Sequence, residues 1–208
     1  MKMIRKFTSL FTGYIRKKYS IRNIACGNKT VYLTFDDGPE PGITEFVLEE
    51  LDKYNAKGTF FCCGNNISAH HSLYEQIVSK GHAIGSHTMT HLRGASSSCS
   101  VYCKEVEEFL NLYKTNLHRP PYESITICQL LRLKNKCRII LWDVDSKDWT
   151  GSDDVDCDVH GIVSIVKTGS IVLFHFCREH EKRTKYLLPK VLDALNNQGY
   201  KFEAINLS

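Results

Sequence analysis

His87-Thr88-Met89-Thr90-His91 places two imidazoles four residues apart. On a helical turn that spacing puts both rings on one face, where their neutral nitrogens can share one divalent cation. A third ligand is at hand in Thr34-Phe35-Asp36-Asp37-Gly38-Pro39, which carries two adjacent carboxylates at the end of a β-type run. Neighbouring side chains leaving a strand diverge, so one acid can bind the cation while the other faces the open coordination position. Like charges this close repel unless something positive lies nearby. Two histidines and one aspartate leave room for water and substrate, as catalytic rather than structural cation sites do. Arg119, Asp145, Asp148 and His175 add a fixed cation, two further acids and one more imidazole. Together these types suit acid–base chemistry beside a bound cation.

The elements that must position these groups alternate along the chain. Runs rich in β-branched, aromatic and aliphatic residues occur at Thr30–Phe35, Thr59–Cys62, His82–Gly85, Arg138–Trp142, Ser170–Phe174 and Tyr200–Glu203. Helical patterns separate them: Ile43, Phe46, Val47 and Leu51 on one face, then Ser72–Lys80, Val101–Leu112 and Tyr186–Asn197. Repeated strand–helix alternation predicts an α/β fold with a mostly parallel sheet. An open doubly wound sheet and a closed barrel both satisfy the pattern, and both bind ligands at the carboxyl ends of their strands. Asp36-Asp37, His87, Asp145-Asp148 and His175 all fall just after such runs.

Arg119-Pro120-Pro121-Tyr122, Asp145-Ser146-Lys147-Asp148-Trp149 and Leu173-Phe174-His175 join the two runs above in a recognisable order. The five resemble the motifs of the polysaccharide deacetylases, the NodB-homology group or carbohydrate esterase family 4, and the resemblance covers roughly residues 29–205. It implies a deformed (β/α) barrel of about seven parallel strands. It implies Asp37, His87 and His91 as ligands of one divalent ion, Zn²⁺ first, with Co²⁺, Ni²⁺, Mn²⁺ or Fe²⁺ as alternatives. It makes Asp36 the general base, held by Arg119, and His175 the general acid, supported by Asp148. The Tyr122 N–H becomes an oxyanion donor, while Trp149, Leu173, Pro121 and Tyr122 line the acetyl and sugar pocket. The implied reaction removes N-acetyl groups, with release of acetate, from N-acetylglucosamine-containing poly- or oligosaccharides or a sugar precursor. One departure stands out: Glu123 follows the Arg-Pro-Pro-Tyr run where family members commonly have glycine, placing a carboxylate beside the proposed oxyanion donor.

Length and composition agree with one catalytic domain, drawn at 25–208, behind a basic segment, 1–24. Residues 1–23 hold seven Lys and Arg and no acid; the net charge is +4, so the remainder is −3. With a mildly acidic body the basic pI is no argument for a nucleic-acid partner, and none is expected. Ile4, Phe7, Phe11, Tyr14 and Ile15 recur at helical spacing in the basic segment. The expectation there is an apolar face packed on the domain, with peripheral membrane contact as the second reading. Arg16–Lys18 interrupt the apolar stretch, so no convincing signal peptide is read and a cytoplasmic, reducing location is expected. The nine cysteines are accordingly read as free thiols. His70, His71, His82, His118, His160 and His180 match no ligand motif and are read as surface or supporting residues. The acidic run 153–158 is read as a solvated turn. Two other functions keep the fold: a carbohydrate-binding protein without turnover, and an amidohydrolase of a small amide. Intact catalytic positions disfavour the first and the paired aspartates the second.

Overall fold

The computed structural model describes residues 13–150 and 154–207. Its centre is β2 (Thr30–Asp37), buried on both sides as its continuous apolar sequence requires. Beyond it in one direction lie β3 (Thr59–Cys62), β4 (Ala83–Ser86), β5 (Leu117–His118), β6 (Arg138–Ile140) and β1 (Ser20–Ile21); in the other lie β8 (Ile171–His175) and β7 (Val144–Asp145). The two-residue β9 (Lys201–Phe202) pairs with β2 as well. Every ladder is parallel. The sheet curls until the chain leaving its β1 edge meets the start of β8, where Asn23 bridges Ser170 and the Ile24 N–H donates to the Gly169 carbonyl at 2.9 Å. This is the expected deformed barrel, with nine strands among the described residues rather than about seven. The short β1 and β7 carry too few residues to announce themselves by pattern.

Alternation along the strands sets what faces where. Val31, Leu33 and Phe35 point outward with Phe60, Cys62, Val172 and Phe174 into the main core. There they meet Val47, Leu48 and Leu51 of α2 (Ile43–Lys53) and Leu188, Val191, Leu192 and Leu195 of α8 (Glu181–Asn197). Tyr32, Phe61, Leu117, Ile140 and Ile171 form a separate inner cluster. By the same parity Thr34 and Asp36 face inward, toward the carboxyl end of the barrel. Helix α5 (Cys99–Tyr113) begins at Ser98, whose hydroxyl accepts from the Val101 N–H. It packs with α6 (Ile127–Leu133) over Tyr102, Val106, Leu130 and Ile139.

Several expectations change here. The acidic run is not a turn but the beginning of α7 (Val155–Ile165): Asp154 accepts from the Cys157 N–H at 2.9 Å, and Asp156 and Asp158 lie in the first turn, where the helix dipole favours them. Asp153 lies outside the described residues. In the basic segment, residues 13–19 are helical (α1). Ile15 and Tyr19 pack on the α5–α6 core, and Arg16 donates to the Ile125 carbonyl at 2.9 Å. Ser20–Ile21 then enters the sheet, so residues 13–24 are built into the domain. Ile4, Phe7 and Phe11 lie outside the described residues; Tyr14 is exposed. No helix among the described residues is long and apolar enough to cross a membrane.

The barrel seam gives a test. Gly169 has φ +86°, and a Cβ there would come within 2.1 Å of the Ile24 carbonyl oxygen. Gly169→Ala is therefore expected to destabilise the protein by more than about 1 kcal/mol, read from chemical denaturation, since both strain and a lost seam contribute.

Candidate active site

Asp36, Asp37, His87, His91, Tyr122, Trp149, Leu173 and His175 line one cavity of about 520 Å³ at the carboxyl ends of the strands, with Arg119 and Asp148 buried behind Asp36 and His175. Asp36 and His175 are register partners on the adjacent strands β2 and β8. Asp36 is buried, and its Oδ1 accepts from Arg119 Nη1 at 2.8 Å. Arg119 is 0% exposed. Its remaining donors reach Thr34 Oγ1 at 2.8 Å and the Ile140 and Leu141 carbonyls at 3.2 Å each. The guanidinium also lies 4.2 Å from the Phe61 ring centre. A buried cation is tolerated because its fork finds four acceptors, one of them charged.

Asp37 would point outward if β2 stayed regular. A φ of 86° at this residue breaks the alternation and turns its carboxylate toward the histidines. Asp37 Oδ1 lies 3.3 Å from His87 Nε2 and 3.1 Å from His91 Nε2. The His87 Nδ1–H donates to the Arg119 carbonyl at 2.8 Å, which aims Nε2 at Asp37. Burial works to raise the Asp37 pKa, but hydrogen bonds from His87 and His91 outweigh it and hold the carboxyl well below the usual range. Two imidazole nitrogens and a carboxylate oxygen converging beside an open cavity are a donor set that fits a divalent cation.

The two histidines do not share a helix face, as their spacing suggested. They sit at either end of a turn, with Thr88 at φ 65° and His91 at φ 59°. Glu105 of α5 fixes that turn: its carboxylate accepts from the Met89 and Thr90 N–H groups at 3.2 and 3.1 Å and from the Thr90 hydroxyl. Nothing in the sequence marked Glu105, one of several acids on a helix.

Across the cavity, the His175 Nδ1–H donates to Asp148 Oδ1 at 2.7 Å, while Asp148 Oδ2 accepts from the His175 N–H at 2.6 Å and the Thr184 hydroxyl at 2.9 Å. Burial disfavours the imidazolium, but the Asp148 contact and the charges of Asp148, Asp37 and Asp36 overcome it, raising the His175 pKa to about 9. In metal-free protein the His175 ring is expected to titrate near pH 9 by NMR, and to fall toward or below about 6.5 in Asp148→Asn. Because the folded pKa is raised, this group's stabilisation is complete below about pH 6.5 and fades as pH climbs through about 9.

The proposed oxyanion donor, Tyr122, lies in a turn over Pro121–Glu123 with φ 57°, and no backbone acceptor among the described residues takes its N–H. Its ring is 62% exposed and meets the His91 ring edge-on at 4.8 Å. Trp149, Leu173 and Tyr122 line the cavity as expected, with Trp149 steadied by Asp145, whose carboxylate accepts from the indole N–H at 3.3 Å. Pro121 does not: both prolines are buried, and Pro120 is the one that lines the cavity. Glu123, also in the left-handed region at φ 53°, pairs with Arg22 at the rim, so its charge is partnered beside the Tyr122 amide. His82 and His118 are not surface residues. His118 bridges the Ser86 carbonyl and the Tyr102 hydroxyl at 3.0 Å each, and burial holds it neutral, lowering its pKa to about 3. His82 accepts from the Gly58 N–H at 3.1 Å, and burial lowers its pKa to about 4. His180, also expected outside the site, lines the cavity with its ring centre 4.9 Å from that of His175.

A carboxylate and an imidazole on neighbouring strands, each oriented by a buried ionic partner beside a cation-ready triad, are the groups that hydrolysis of an acyl bond uses. A family profile described as polysaccharide deacetylase matches residues 24–127. A peptidoglycan-N-acetylglucosamine deacetylase of Bacillus cereus is 32% identical over 203 residues, covering 94% of this chain and 92% of that protein. A crystal structure of a peptidoglycan N-acetylglucosamine deacetylase superposes with TM-score 0.82 at 29% identity, covering 91% of this chain and 92% of that one. A family 4 carbohydrate esterase from Streptomyces lividans, in complex with acetate, superposes with TM-score 0.76 at 28% identity, covering 88% of this chain and 95% of that one. The chain belongs to the polysaccharide deacetylase family. It is a carbohydrate N-deacetylase.

Proposed function

We propose that the protein hydrolyses the acetamide of N-acetylglucosamine units in a peptidoglycan-type glycan, with Zn²⁺ held by Asp37, His87 and His91. The single observation that carries this reading is the pairing of Asp36 with His175 in register on β2 and β8, each buried against its own counter-charge, beside the convergent triad. Asp37, His87 and His91 would hold a divalent ion, which when bound would supply polarisation of the acetamide carbonyl and acidity of the attacking water. Asp36 accepts the proton of the attacking water, and Arg119 keeps that carboxylate aimed. The Tyr122 N–H donates to the oxygen on which negative charge develops; one such donor is worth about 3–4 kcal/mol in acyl transfer. His175 gives its proton to the departing sugar amine, and Asp148 keeps the ring charged and oriented until it does. Trp149 and Leu173 enclose the acetyl methyl and exclude water.

The substrate assignment draws on the Bacillus cereus relative, whose name specifies peptidoglycan and N-acetylglucosamine. It is tested by measuring acetate release from peptidoglycan fragments, chitin oligomers and lipid-linked sugar precursors with zinc-loaded protein. The expected result is release from the peptidoglycan fragments with the highest kcat/KM. Oligosaccharide binding without acetate from any of the panel contradicts the assignment.

A further inference from the structure

The two oxygens of Asp37 face different partners. Oδ1 faces the histidine pair, whereas Oδ2 lies 3.8 Å from Cys177 Sγ. Cys177 and His180 leave one turn, closed by the His180 N–H donating to the Cys177 carbonyl at 3.2 Å, and a three-residue separation of ligands is the usual spacing in zinc-binding turns. The ligand atoms of Asp37, Cys177 and His180 all lie within 4.8 Å of one another, as do those of Asp37, His87 and His91. Zinc bonds of about 2.3 Å to sulfur and about 2.1 Å to oxygen, at a tetrahedral angle, set those two atoms about 3.6 Å apart. The observed 3.8 Å needs almost no movement.

We infer that Asp37, Cys177 and His180 form a second divalent-cation site, joined to the first through the two carboxylate oxygens of Asp37 and selective for a thiophilic ion such as Zn²⁺. The inference goes beyond the deacetylation reading and shares only Asp37 with it. Glu40 and Glu179 line the adjoining cavity of about 350 Å³ with Asp37 and Cys177, so the surroundings are negative enough for another cation. Coordination exchanges the Cys177 S–H bond for a zinc–sulfur bond: one zinc enters and one proton leaves to solvent. The site also has a consequence for catalysis. An ion held by Cys177 and His180 would stand beside the His175 ring, on the side of the cavity from which that ring reaches the substrate, and would inhibit the reaction.

The test uses the full chain with its exposed thiols removed (Cys128→Ser, Cys157→Ser), titrated with zinc and with cobalt. Equilibrium dialysis is expected to give two zinc equivalents, falling to one in Cys177→Ser and in His180→Gln. The second cobalt equivalent should bring a thiolate-to-cobalt charge-transfer band that Cys177→Ser lacks. Acetate release should rise and then fall with increasing zinc, and the fall should vanish in Cys177→Ser; magnesium should not cause it. A single equivalent in folded protein, no thiolate band, or equal zinc inhibition in Cys177→Ser overturns the second site while leaving the deacetylase intact. Two equivalents and the thiolate band without acetate release at any zinc concentration overturn the deacetylase reading and uphold the second site.

Discussion

Asp36→Asn is expected to lower kcat for acetate release by about 10²–10⁴-fold, the range a positioned general base contributes, with one zinc still bound at the Asp37, His87 and His91 site. Asparagine has nearly the same shape, and its side-chain oxygen can still accept the Arg119 Nη1–H that Asp36 Oδ1 takes at 2.8 Å. What it loses is the capacity to take a proton from water. The ion ligands are untouched, because Asp36 Oδ2 lies 3.9 Å from His87 Nε2 while Asp37 makes the closer contacts. KM should change little, since the side chain acts in the transition state rather than in holding the sugar. Turnover within a few-fold of the parent would move the base elsewhere in the cavity. Loss of the ion would mean that Asp36, not Asp37, is the ligand.

Arg119→Met carries the largest expected cost in stability, about 3–5 kcal/mol, because removing one member of a buried ion pair strands the other charge. Against a total of about 5–15 kcal/mol for a typical domain, that is enough to lower Tm severely. Three neutral acceptors are stranded as well: the Thr34 hydroxyl and the Ile140 and Leu141 carbonyls. Arg119→Lys should recover only a minor part, since a single ammonium cannot span four acceptors arranged for a planar fork. In the double variant Arg119→Met/Asp36→Asn the loss should be smaller than in Arg119→Met alone, because no buried carboxylate is left unpaired. Denaturation midpoints of the four proteins decide it; a cost near zero for Arg119→Met would show that the pair is not buried as described.

The strands that build the barrel wall could be read from sequence because burial on both faces writes itself as an unbroken apolar run, as in Thr30–Phe35 and Ser170–Phe174. The chemistry could be read because its residues fall at the ends of those runs. Geometry within the turns could not. A separation of four residues suits a helical face equally well, and only the left-handed backbone at Thr88 and His91, fixed by Glu105, makes the His87–His91 segment a turn. Asp37 is similar, since parity alone sends it away from the site and its φ of 86° brings it back. That His82 and His118 are supporting rather than surface residues was hidden for a different reason. A histidine is buried only where tertiary structure supplies hydrogen-bond partners, here Gly58 for one and Ser86 with Tyr102 for the other. Glu123 illustrates the same limit: its partner, Arg22, is 101 residues distant along the chain.

Anomalous diffraction at the zinc edge, from crystals soaked in Zn²⁺, tests the central claim most directly. The strongest peak is expected about 2.0–2.2 Å from Asp37 Oδ1, His87 Nε2 and His91 Nε2, with Asp36 and His175 facing it uncoordinated. No peak within reach of those three atoms, or one ligated by Asp36 in place of Asp37, contradicts the account.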